Sequence, residues 1–221
     1  MTPPPHSARR RTPDCPDSLR QEILDAAREL FATEGYGSVS LRKIAQRVGC
    51  TPMAIYCHFE DKADILDCIC EETFTRFATL SDRLDKAGLP PGERVRQGLR
   101  NYVEFGLAHP HHYQLTFMTP LREPQALGRR EQIGRRAFER LRGHVAACLA
   151  EGGVSPDPQA VEVASQLAWA TVHGLTSLLI ARPDFPWAER ERLIATAVES
   201  AVESLSCAGR QAPAATAGRT P

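Results

Sequence analysis

The 221-residue sequence has no net charge to spend on a partner: Asp and Glu together number 27, and so do Lys and Arg. A chain so balanced is not drawn as a whole to nucleic acid or to an anionic surface, and any such contact must rest on a local basic face and on helix dipoles. Apolar runs long enough to read as a membrane span are also missing, and the opening MTPPPHSARRRTPD lacks the hydrophobic stretch of a secretory signal. The expected location is therefore the cytoplasm, with no membrane partner. Seven cysteines, Cys15, Cys50, Cys57, Cys68, Cys70, Cys148 and Cys207, show no repeated spacing, which speaks against a disulfide framework and for thiols in a reducing compartment.

Motifs of catalysis are equally scarce. There is no nucleophile motif, no phosphate loop and no metal signature. His109, His111 and His112 lack a fourth ligand, and Pro110 turns the chain among them. Cys68 and Cys70 stand two apart on a helical stretch and point to different faces, unlike a redox pair spaced by two residues. No cofactor, no metal and no enzymatic activity are expected, and no internal repeat is present.

What remains is helical signal almost throughout, in a composition with 42% apolar and 24% charged residues that suits a globular protein. Residues 1–17 are proline-rich, carry Arg9, Arg10 and Arg11, and read as a flexible basic arm; residues 207–221 read as a flexible tail. A first helix is expected from Ser18, capped by Ser18 with Gln21 reaching back, and Ile23, Ala26, Ala27, Leu30 and Phe31 share one face. EGYG breaks it. A second helix runs from Leu41 to Val48, capped by Ser40 and ended by Gly49. A third begins with Thr51 as cap and Pro52 at its first position, where a missing N–H costs nothing, and runs towards Phe59. Asp61 can cap a fourth, with Ile65, Leu66, Ile69, Phe74 and Phe77 as its apolar positions. Further helices are expected over 94–108, from Pro124 to about Glu151, over 158–181, and from Trp187 to about Leu205.

Three short helices in succession, the last two separated by Gly49, Cys50 and Thr51, are the arrangement that presents a recognition helix to the major groove. Arg42, Lys43 and Lys62 can set positive charge along the phosphates, Thr51 and Tyr56 can give hydroxyls to them, and Pro52, Met53, Cys57 and Arg47 can reach base edges.

The stretch from Gln21 to Ile69 resembles the DNA-binding domain of the tetracycline-repressor family of transcriptional regulators. The resemblance rests on Ala26, Ala27, Leu30 and Phe31, on Gly35 followed by an aromatic, on Ser40, Leu41, Ile44 and Ala45, on Gly49, and on Ile55, Tyr56, His58, Phe59, Lys62 and Leu66. Cys50 and Pro52 depart from the family's usual valine and polar or basic residue. The resemblance implies that Tyr56 and Lys62 touch phosphates and that Thr51, Pro52, Met53 and Cys57 face the groove. The segment AWATVHGLTSL, with Trp169, His173 and Gly174, and the segment HPHHYQLTFM, with Pro110, Tyr113 and Phe117, resemble the subgroup named for its tryptophan, histidine and glycine.

The whole is thus expected to be all-α: a helix-turn-helix DNA-binding domain over 18–62, then a helical effector-binding and dimerisation domain over 63–206. The partners expected are a palindromic double-stranded operator, a second copy of the chain through the last two helices, and a small apolar or amphipathic effector. Leu193, Ile194, Ala197, Val198, Ala201, Val202 and Leu205 form the stripe expected to pair across that dimer. The effector site is expected among Tyr102, Phe105, Tyr113, Phe117, Met118, Trp169, Thr171 and His173. The alternatives are a helical binding protein or enzyme that does not regulate transcription, and a DNA-binding architectural protein without an effector.

Overall fold

The computed structural model describes residues 17–119, 124–152 and 156–208. The arm with Arg9 to Arg11, and nearly all of the tail, lie outside the described residues. Among the described residues there are nine α-helices and no strand: α1 (Asp17–Glu34), α2 (Leu41–Val48), α3 (Pro52–Tyr56), α4 (Lys62–Lys86), α5 (Pro91–Ala108), α6 (Pro110–Tyr113), α7 (Pro124–Leu149), α8 (Pro158–Ala181) and α9 (Arg190–Ala208). They fall into two compact units that divide after Ile69, within α4.

In the first unit, α1 begins at Asp17, so Ser18 lies inside its first turn. Gln21 Nε2 bonds Asp25 Oδ1 at 3.2 Å, one turn onward, and does not reach back to close the expected capping box. The other caps form as their residue types dictate. Ser40 Oγ accepts the Lys43 N–H at 3.3 Å, and Gly49 closes α2 in the left-handed region, with φ of 81°. Thr51 Oγ1 accepts from Ala54 N with Pro52 at the first helical position. At the start of α4 the reciprocal pattern appears: Asp61 Oδ1 accepts from Asp64 N at 2.8 Å, while Asp64 Oδ2 accepts from Glu60 N at 3.0 Å. The core holds Ile23, Ala27, Phe31, Ile44, Ala45, Ile55 and Phe59 as the periodicity predicts, and adds Leu24 and Val39. Burying each such Leu, Ile or Phe contributes about 1.5–3 kcal/mol, which lets a head of this size hold three short helices that would melt alone.

In the second unit, α5 starts three residues earlier than predicted because Pro91 supplies a good first helical position. Where the sequence predicts a turn at Pro110, the short helix α6 forms instead and is followed by a π-helical turn, Gln114–Met118. Its main core joins Val95, Leu99 and Val103 of α5, Val145 of α7, Val161, Ala164, Ala168 and Val172 of α8, and Ile194, Val198, Ala201, Val202 and Leu205 of α9. Most of the α9 stripe expected to pair across a dimer is therefore consumed inside the protomer. A buried stripe and a dimer stripe have the same periodicity, and only the neighbouring helices distinguish them.

Helix α8 carries the second correction. One 18-residue window in it averages a mean hydropathy of 1.2, so by length and composition it is apolar enough to cross a membrane, yet 33% of that window is buried in the protein. It is apolar on both sides for two reasons: its inner side packs on α5, α7 and α9, while Val163, Leu167 and Leu178 stand exposed on the outer side.

Candidate functional site

The first unit places Arg42, Lys43 and Arg47 on exposed positions of α2, and Thr51, Pro52, Met53, Tyr56 and Cys57 on exposed positions in and beside α3. Met53 is 72% and Tyr56 55% exposed, unusual for large side chains with so much apolar surface. Not all the cations are idle. Arg47 pairs with Glu29 at 2.6 Å, and Lys43 pairs with Glu34. Lys62 is more firmly held: its ammonium donates to the carbonyls of Tyr36 and Val39 at 2.8 and 3.0 Å and lies 4.3 Å from the Tyr36 ring centroid. It thereby fastens the turn between α1 and α2 to the start of α4, leaving one donor of three. The Thr51 hydroxyl is an acceptor for its own helix and keeps its proton for another partner.

In the second unit a cavity of about 520 Å³ opens among α4, α5, the π-helical turn, α7 and α8. Of the residues expected at an effector site, Tyr102, Phe117 and Trp169 line it. Phe105 and Tyr113 are buried behind that lining, and His173 sits beside Tyr113 with ring centroids 5.6 Å apart. Met118 and Thr171 are exposed and do not line the cavity; the Thr171 hydroxyl turns back to the Leu167 carbonyl at 2.9 Å. Sequence reasoning missed much of the wall: Phe74 and Phe77 of α4, Leu99 of α5, Thr116 of the π-helical turn, Glu131, Arg135, Phe138, Leu141 and His144 of α7, and Val172 of α8. Phe74 and Phe77 were legible as apolar positions three residues apart, but nothing in their spacing separates a cavity wall from a solid core. A second cavity of about 290 Å³ shares Phe74, Phe77, Ser81 and Ala137 with the first and is also lined by Ile133, Arg136 and Arg140.

Behind the wall runs a chain of polar groups. Trp169 Nε1 donates to Tyr102 Oη at 3.1 Å, Tyr102 Oη donates to Tyr113 Oη at 3.1 Å, and Tyr113 Oη lies 2.6 Å from His173 Nδ1. Burial holds the imidazole below its ordinary pKa, which favours the neutral ring. It also pushes Tyr102 up strongly and Tyr113 up to about 12, so both phenols stay protonated. The chain is packed so closely that Gly106 is required beside it: a Cβ there would stand 2.4 Å from Thr176 Cγ2 and 2.8 Å from Tyr113 Cδ2. Around the histidine cluster, His109 Nε2 is 3.4 Å from Arg76, and buried His112 is 3.3 Å from the Thr73 hydroxyl. Among the described residues no group of three His, Cys, Asp or Glu is placed to hold a metal ion.

Comparison with known proteins gives this geometry a context. Residues 23–69 match the family model of bacterial regulatory proteins of the tetR family, and residues 95–205 match the model of the tetracyclin repressor-like C-terminal domain. The chain is 45% identical over 62 residues to the HTH-type transcriptional regulator AcrR of Shigella flexneri, covering 28% of this chain and 29% of that protein. It is 37% identical over 65 residues to the HTH-type transcriptional repressor AcnR of Corynebacterium glutamicum, covering 29% of this chain and 35% of that protein. The stretch matched is thus only about a third of these curated relatives. Among solved structures, AmtR of Mycobacterium smegmatis is 27% identical with a TM-score of 0.62, over 86% of this chain and 91% of that one. FadR of Bacillus subtilis, in complex with stearoyl-CoA, is 20% identical with a TM-score of 0.69, over 84% of this chain and 97% of that one, a likeness of fold. With its helix-turn-helix head and its helical C-terminal unit each matched, the chain belongs to the tetracycline-repressor family of transcriptional regulators.

Proposed function

We propose that this protein is a homodimeric repressor that binds a palindromic operator and is released from it by a small apolar or amphipathic effector. The observation that carries the reading is the cavity of about 520 Å³, because one of its walls is α4. That helix supplies Ile65, Leu66 and Ile69 to the first unit and Phe74 and Phe77 to the cavity lining of the second. A ligand that prefers one arrangement of α4 shifts the population of DNA-competent molecules by its differential affinity, without touching DNA. A nucleoid-type DNA binder would have no use for such a space.

Dimerisation is supported by the outer face of α8. Val163, Leu167, Ala170, Thr171, Gly174 and Leu178 recur at spacings of three and four and are exposed, or, for Gly174, half-buried with open space beyond its Cα. An apolar face of that length is a site for a second copy related by two-fold symmetry, so that two reading heads meet two half-sites. In each head Met53 and Cys57, with Pro52, offer apolar contacts suited to thymine methyl groups, and Arg42, Lys43, Arg47, Thr51, Tyr56 and Lys62 offer contacts to the backbone or base edges.

The test is footprinting of the purified protein on the intergenic DNA upstream of its own gene, followed by genome-wide selection of bound fragments. A protected palindrome is expected, with Tyr56→Phe weakening all sites alike and Met53→Ala changing their ranking. The absence of any selected site in the genome would end the regulator reading.

A further inference from the structure

The reading of the cavity as an effector site leaves the effector's chemistry open, and the lining narrows it. Six rings form the wall: Phe74, Phe77, Tyr102, Phe117, Phe138 and Trp169. They meet one another edge to face, tilted or stacked, with Phe74 and Phe117 at 5.7 Å and 80°, Phe117 and Trp169 at 6.5 Å and 63°, Phe138 and Trp169 at 5.9 Å and 54°, and Phe77 and Tyr102 at 5.5 Å and 16°. A wall built this way presents both ring faces and ring edges, the two surfaces against which another aromatic ring packs by offset stacking or by its edge.

The ring-borne polar groups of the same wall, on Tyr102 and Trp169, are already engaged within the protein. The Trp169 N–H is given to Tyr102, and the Tyr102 hydroxyl proton to Tyr113. The ionised side chains of the lining pair with each other, Arg135 with Glu131 at 2.5 Å and with more than half of each exposed, and His144 Nε2 lies 2.8 Å from Asp85 Oδ1. A carboxylate or an ammonium entering among the rings would lose its water without gaining an uncommitted partner of opposite charge. An uncharged molecule loses little, and a space of about 520 Å³ is in the range that encloses compounds of drug size.

We propose that the effector is an uncharged, flat, multi-ring aromatic molecule, held by ring packing among Phe74, Phe77, Phe117, Phe138 and Trp169. This inference rests on the proposed function, which makes the cavity an effector site. It gives the aromatic lining a purpose that a saturated acyl chain, satisfied by any aliphatic wall, would not require.

The experiment is calorimetric titration of the full-length protein with four compounds: anthracenemethanol, anthracene carboxylate, aminomethylanthracene and palmitate. The three anthracenes share a ring system and differ in charge; palmitate is aliphatic. The alcohol is expected to bind at least tenfold tighter than each of the others, to lose at least tenfold in affinity in Phe117→Leu and Trp169→Leu, and to be unaffected by Asp184→Asn, an exposed position between α8 and α9 that does not line the cavity. The leucine substitutions keep the wall apolar, and only variants whose melting temperature stays near that of the parent protein are titrated. Tighter binding of palmitate or of either charged anthracene would overturn the class while leaving an effector site in place. Binding of none of the four, or binding of the alcohol that survives both wall substitutions, would also overturn it. The effector reading itself is judged apart, by whether any compound in a chemically broad screen releases the protein from its footprinted operator.

Discussion

At the scale of single residues, Gly106 and His173 are held by one constraint. Gly106 is required because α5 passes so close to Thr176 and Tyr113 that a methyl group has no room. Gly106→Ala is expected to destabilise the protein by about 1–3 kcal/mol, read as a fall in denaturant midpoint with no change in slope. The His173 imidazole lies 2.6 Å from the Tyr113 hydroxyl, and burial depresses its pKa from the usual 6.5. The unfolded chain therefore binds more protons than the folded one as pH drops below about 6.5, and stability is lost from there down to the depressed pKa of the folded state. Melting temperature should decline over that window, and His173→Gln, which keeps a polar side chain without a titrating ring, should flatten the decline relative to the parent protein. The cationic residues of the head carry a different expectation. Arg47 and Lys43 are engaged by Glu29 and Glu34, exposed pairs worth at most about 1 kcal/mol each. Glu29→Gln and Glu34→Gln are expected to free these cations and tighten operator binding several-fold at low salt, an effect that should fade as salt rises.

At the scale of elements, α8 and α9, both expected to pair with a second copy, differ in how much apolar surface the chain itself covers. The amphipathic α9 turns Ile194, Val198, Ala201, Val202 and Leu205 into the core, whereas α8, apolar on both sides, keeps Val163, Leu167 and Leu178 outside. Leu167→Glu should therefore leave the fold intact and break the dimer. Light scattering should report monomers at micromolar concentration, with circular dichroism unchanged and operator affinity reduced at least tenfold. Persistence of the dimer in that variant would move the interface elsewhere. The contrast with Val198 is itself a test of the assignment, because a charge there should unfold the protein rather than dissociate it.

At the scale of the whole molecule, a net charge of zero has consequences for how DNA is found. With 27 acidic and 27 basic residues the chain as a whole gains little from long-range attraction, and in the proposed dimer specific binding rests on the heads of both protomers acting together. The logarithm of operator affinity is expected to fall with the logarithm of salt concentration at a slope of about −0.9 for each phosphate contacted. Lys62→Met, by contrast, should lower stability as well as affinity, since that ammonium holds the Tyr36 and Val39 carbonyls. The two measurements separate a cation that faces DNA from one that fastens the head.

Much of the reading head was legible in the sequence because its determinants are local. Ser40, Gly49, Thr51, Pro52 and Asp61 act on backbone groups within a few positions of themselves, and the apolar periodicity of α1 and α2 needs only one face to be buried. Leu24 escaped because α1 is covered on a wider arc than its most regular stripe suggests. The cavity and the free face of α8 were not legible, for the opposite reason. Phe74 and Phe138 come from helices far apart in the chain, and whether such rings meet, enclose a space or face solvent depends on the packing of helices against one another. The amino-acid sequence by itself determined the longer helices, the caps of α2, α3 and α4, and the family to which the protein belongs. Only the tertiary structure decided which apolar faces were already covered and where a hollow remained, because burial is a property of neighbours and not of residues.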